Sequence, residues 1–112
     1  MATDKYKSEK IIFEEAQRAA VAATAKWLSE HPGEWFPCGF ASVKIKPARG
    51  KFVSFLKEEK IGHVDTDYGG YIIYNPSRNP TQSMYAKQAG AQAFADVLRR
   101  IGIKAYAQAQ ID

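Results

Sequence analysis

The sequence predicts a small α+β domain in the order α-β-α-β-α-β, with a three-stranded sheet and its helices packed mainly on one face. Three observations point there. Long stretches with helical spacing alternate with short runs of period two. Two of the strand patterns, at 40–46 and 103–111, alternate apolar and polar residues, as expected of strands that bury one face. No linker, internal repeat or low-complexity tail interrupts the 112 residues, so residues 1–112 are expected to share one core.

The first helix is expected over about 8–30, with Ser8 as N-cap and Ile12, Ala16, Ala20, Ala23 and Trp27 on one face. Most of that face is alanine, which lets another element approach closely. His31-Pro32-Gly33 stops it. The turn EWFPCG, 34–39, is expected to fold back over the helix end, with Cys38 as a small buried residue. Strand one follows at about 40–46, with Ala41, Val43 and Ile45 inward and Ser42, Lys44 and Lys46 outward. A shorter helix over about 51–60 turns Phe52, Phe55 and Leu56 to the core. The stretch HVDTDY, 63–68, reads as a loop, and Tyr71–Tyr74 as strand two. The last helix, about 82–101 with Thr81 as cap, carries a mid-helix Gly90. A glycine there is unfavourable by up to about 1 kcal/mol against alanine, so close packing is expected at that point.

The net charge is +4, and Lys44, Lys46, Arg49 and Lys51 fall close together with no acid between them. Such a patch suits a polyanionic partner, or is a solvated edge. No apolar run is long enough to span a bilayer, and MATDKYKSEK lacks the apolar segment of a secretion signal, so the expectation is a cytoplasmic protein with no membrane partner. A single cysteine excludes an internal disulfide and a multi-cysteine zinc site.

The exposed chemistry concentrates between Gly69 and Gly90. Tyr71, Tyr74, Asn75, Arg78, Asn79, Gln82, Ser83 and Lys87 form the expected partner or ligand surface. The loop 75–83 precedes a helix N-terminus, where backbone N–H groups favour anions and Arg78 would add a guanidinium. The other surface expected to bind is the outer sheet face. Lys44, Lys46, Arg49, Lys51 and Lys104 would meet phosphates there, and Tyr106 with Tyr71 or Tyr74 would stack on bases. His63, Asp65 and Asp67 alternate along one side of an extended chain, as metal ligands do, but two aspartates before a glycine pair are better read as turn formers. Gly69-Gly70 reads as a turn with positive φ rather than a phosphate loop. Nothing assembles a nucleophile, a base and an oxyanion donor. The expectation is therefore no catalytic residues, no metal and no cofactor. Self-association that protects the sheet edges is a further hypothesis.

Three segments, PCGFASVKIKPARGKFVSFL, YGGYIIYNPSRNPTQSM and AFADVLRRIGIKAYAQAQID, resemble small accessory proteins of tailed bacteriophages and prophages. The resemblance covers most of the chain beyond Glu34. It implies an accessory protein, made in a bacterial cytoplasm, that inhibits or modifies host machinery such as a defence system. With no catalytic set among the residues, the expectation is a non-enzymatic protein that binds and modulates a host protein. The alternative from the residues themselves is a nucleic-acid or nucleotide-binding module.

Overall fold

The computed structural model describes residues 5–112; the first four residues of MATDKYKSEK lie outside it. Among the described residues, three helices and four strands follow in the order α1 (Lys7–Glu30), β1 (Gly39–Ile45), α2 (Lys51–Glu58), β2 (His63–Val64), β3 (Tyr71–Tyr74), α3 (Met84–Arg100) and β4 (Ala105–Ile111). The expected α+β class holds, with a four-stranded antiparallel sheet in place of three strands. The added strand is β2, inside the stretch read as a loop. Two residues are too short for a periodic pattern to register. The strand order is β2-β3-β1-β4, so β1 is central and β4 is an edge.

The helices form the layer over one sheet face. α3 packs on β1 and β4, α1 packs along α3, and α2 touches α1. Ala41, Val43, Ile45, Tyr71, Ile73 and Ala105 meet Phe13, Phe94, Leu98 and Phe55 in a single cluster. An aromatic chain runs through it: Tyr6 to Phe55 at 5.9 Å between ring centres, Phe55 to Phe13 at 6.1 Å, and Phe13 edge-on to Phe94 at 5.8 Å.

Several expectations need correcting. α1 starts at Lys7 after Tyr6, which makes no side-chain cap bond, so Ser8 is not the cap. Its buried face is Phe13, Ala16, Ala20 and Thr24, rotated from the one expected through Ile12 and Ala23. The cap of α3 is Ser83, whose Oγ accepts from Ala86 N–H at 3.1 Å; Thr81 Oγ1 instead accepts from Ser83 N–H at 3.2 Å. Cys38 is exposed, not buried, with its Sγ 3.5 Å from Gln82 Oε1. Trp35 does not fold back over the helix but stands 85% exposed.

The close approach expected at Gly90 is present. A Cβ there would collide with Thr24 Oγ1 and lie 3.1 Å from both the Ala20 carbonyl oxygen and Ser77 Cβ. The absence of a side chain lets α3 lie against the alanine face of α1.

Candidate functional site

The face of the sheet away from the helices carries a continuous array of side chains from β1, β3 and β4. The register sets Ser42 between Tyr74 and Gln108, Lys44 between Ile72 and Tyr106, and Phe40 beside Gln110, with His63 next to Ile72. Paired residues of an antiparallel ladder share a face, so these side chains form one array. A hollow of about 460 Å³ opens on it, walled by the 63–68 segment and by Phe40, Tyr74, Gln108 and Gln110. Tyr68 is 80% exposed, Tyr74 59%, Phe40 53% and Tyr106 42%. His63 and Tyr74 lie 5.3 Å apart between ring centres.

Lys44 was expected to project from this face as a free cation. It is 4% exposed, and its Nζ donates to Asp65 Oδ2 at 2.7 Å. The turn between β2 and β3 folds over β1 and brings Asp65 there. Asp65 Oδ1 also accepts from the backbone N–H of Asp67 at 2.9 Å and of Tyr68 at 3.1 Å, so the aspartate organises the turn that covers the lysine. Gly70 completes it with φ +89°; a Cβ at this point would sit 2.9 Å from Lys44 Cγ. The reading of Asp65 and Gly69-Gly70 as turn formers holds. Among the described residues no three His, Cys, Asp or Glu side chains gather as metal ligands would.

The hydrogen bond from Lys44, with those of Tyr68 and Asp67, holds the Asp65 carboxyl at about 2 against an ordinary 3.8, over the opposing effect of burial. A folded value below the unfolded one adds stability that is complete above pH 3.8 and disappears as the pH falls towards 2. Asp65→Asn is therefore expected to be less stable than wild type at neutral pH and to converge with it across that window. Urea melts at successive pH values check this, and a constant gap across the window would count against it.

The segment expected to be the working surface is mostly occupied internally. Tyr71 is buried in the core side of β3, its hydroxyl donates to the Ile61 carbonyl at 2.6 Å, and burial pushes its pKa up. Ser83 is buried as the α3 cap. Asn75 and Asn79 hold the loop itself: Asn75 Nδ2 donates to the Asn79 carbonyl at 3.0 Å, and Asn79 Oδ1 accepts from Thr81 N–H at 2.9 Å. Gln82 faces Cys38, and Lys87 Nζ donates to the Gly39 carbonyl at 2.9 Å. The first turn of α3 is used in the same way, with Met84 N–H bonded to the Pro37 carbonyl and Ala86 N–H to Ser83, so the anion site expected there is largely filled by the chain. Arg78 is exposed but lies by α1, near Gln17 and Arg18. Of the eight residues, Tyr74 is the one delivered to the open sheet face.

Phe40, Tyr68, Gln108 and Gln110 join the site from outside that segment. Gln108 was readable from the alternation of the last strand. Phe40 was also within reach, since it shares the parity of Ser42 and Lys44.

The basic residues separate in a similar way. Lys44 is withdrawn into its ion pair, while Lys46, Arg49, Lys51 and Lys104 line one hollow of about 300 Å³ at the far end of β1. Among the described residues, no acidic side chain is in that lining. Lys46 and Lys104 continue into a neighbouring hollow with Arg99 and Tyr106. Among the described residues, no helix is long and apolar enough to cross a membrane. No known protein family, curated protein or solved structure matches the chain.

Proposed function

We propose that this chain is a non-enzymatic accessory protein of the phage type that holds a host protein against the open face of its sheet, in the cytoplasm of a bacterial host. The observation that carries the reading is a set of four exposed rings, Phe40, Tyr74 and Tyr106 on the open sheet face and Tyr68 on the turn that walls its hollow. Aromatic side chains present large area at small entropic cost and are the usual anchors of protein interfaces. Lys44 and Asp65 neutralise one another under the face, which leaves Asp67 as the charged side chain on the hollow among the described residues; charge depletion is the other mark of an interface core. Modulation of a host defence component is the form that the phage resemblance implies.

Affinity capture from bacterial lysate, with and without nuclease, tests this. The wild-type chain is expected to retain a host protein irrespective of nuclease. Tyr68→Ala/Tyr74→Ala should lose it by more than tenfold, since anchors of this kind contribute about 2 kcal/mol each. Both rings are largely exposed, so the thermal melt of the variant should stay close to wild type. Equal capture by the variant would remove the open face from consideration.

A second reading is favoured by one observation, the four cations gathered around a hollow that has no acid in its lining among the described residues. A polyanion such as a nucleic acid would neutralise them, with affinity falling steeply with salt. In the same capture experiment, material that nuclease releases and that Lys46→Ala/Lys104→Ala no longer retains would transfer the assignment to that end of the sheet.

A further inference from the structure

The two edges of the sheet are built differently. β2 is two residues long and runs at once into the aspartate turn. β4 is seven residues long and pairs with β1 in unbroken register, from Gly39 opposite Ile111 to Ile45 opposite Ala105. Its sequence, AYAQAQI, has no charge and no proline, and the continuous register leaves no bulge. Edge strands are ordinarily blunted by lysine, proline, bulges or shortness, because a bare edge is a template for another strand. β4 has none of these devices within its length.

The directions of its backbone groups follow from two hydrogen bonds. Lys46 N–H donates to the Lys104 carbonyl at 3.1 Å, and Asp112 N–H donates to the Cys38 carbonyl at 3.0 Å. The even-numbered residues of this strand therefore turn their peptide groups towards β1. By the alternation of antiparallel ladders, Ala105, Ala107, Ala109 and Ile111 turn theirs outward.

We propose that β4 pairs antiparallel with β4 of a second copy of this chain, about a two-fold axis at Gln108, and joins the two sheets into one. In this register Ala107 faces Ala109 and Ala105 faces Ile111, so the outward-turned peptide groups meet as hydrogen-bonded pairs. Tyr106 faces Gln110, and Gln108 faces itself. The flanking charges select the register, since Lys104 of each copy comes opposite Asp112 of the other. Neither residue is in an ion pair within the chain, among the described residues. Moving the axis to Ala107 sets Lys104 against Gln110, and moving it to Ala109 sets Asp112 against Tyr106; both lose the ion pair.

The same register gives Ile111, 65% exposed, an apolar neighbour. It falls opposite Ala105 of the second copy, beside a hollow of about 540 Å³ lined by Arg99, Gly102, Ile103, Ala105 and Tyr106. A symmetric closed pair of this kind is the commonest form of homo-oligomer. The inference does not rest on the open face holding a host protein, although it shares Lys104 with the polyanion reading.

Sedimentation equilibrium of the full chain tests it, with three kinds of variant. Wild type is expected to be a concentration-dependent dimer. Ala107→Pro removes an outward N–H and leaves the β1 ladder intact, so it should yield a folded monomer by circular dichroism. Lys104→Glu and Asp112→Lys should each weaken the dimer by roughly tenfold, as exposed pairs turn repulsive at both ends, and the double exchange should restore it. These two side chains are exposed, so the charge series stays readable even if the proline variant fails to fold. A monomeric wild type, a dimer indifferent to Ala107→Pro, or single reversals that do not weaken it would each overturn the proposal.

Discussion

Phe94→Ala is expected to lower the free energy of unfolding by about 3–5 kcal/mol, the usual range for deleting a buried ring. Phe94 is fully buried and joins the inner face of the sheet to α1 through its edge-on contact with Phe13 at 5.8 Å. Phe13 continues to Phe55 of α2, so one deletion loosens the contact between all three helices. Domains of this size have total stabilities of about 5–15 kcal/mol, which makes the loss a large part of the whole. Urea unfolding should show a lower midpoint with little change in slope. A loss below about 1 kcal/mol would mean the site can collapse around the gap, and the core would not be centred on this ring.

Gly90→Ala is expected to destabilise by about 1–3 kcal/mol, although alanine is the better helix former by about 1 kcal/mol. Steric cost decides the sign. The added Cβ collides with Thr24 Oγ1 and lies 3.1 Å from the Ala20 carbonyl oxygen, which is backbone and yields little. Thr24 is itself held, donating from Oγ1 to the Ala86 carbonyl at 2.8 Å, so relief would break a buried hydrogen bond. Gly90→Leu should be worse still. Thermal unfolding of both variants measures the effect, and a gain in stability for the alanine variant would show that α1 and α3 can separate without penalty.

Elements with enough length to repeat a pattern were readable from the residues. Three helices and the three longer strands occur where spacing sets them, and Gly90 was legible because a glycine inside a helical pattern calls for a close neighbour. β2 was not legible, being two residues that become a strand only because β3 offers an edge. The cap of α3 moved from Thr81 to Ser83 for a related reason: both hydroxyls suit the role, and the packing of Pro37 and Cys38 against the chain chose between them.

The candidate site follows the same division. Alternation established that Ser42 and Lys44 lie opposite Val43 and Ile45, and that Tyr106 and Gln108 share their parity. It did not establish what covers that face, because Asp65 reaches Lys44 from 21 residues away and converts a free cation into a closed ion pair. Nor could residue type tell Tyr71 from Tyr74. They lie on opposite faces of β3, and only the register with β1 sends one hydroxyl to Ile61 and the other ring to solvent.

The sequence by itself determined the class of the fold, the inward residues of β1 and the turn chemistry around Asp65. These are local properties, repeated over neighbouring residues. Tertiary structure alone decided which polar side chains remain available. The loop 75–83 spends most of its hydrogen-bonding capacity on itself and on the α3 cap. The open sheet face collects its rings from β1, β3, β4 and the turn after β2, because a surface is assembled from segments distant in the chain.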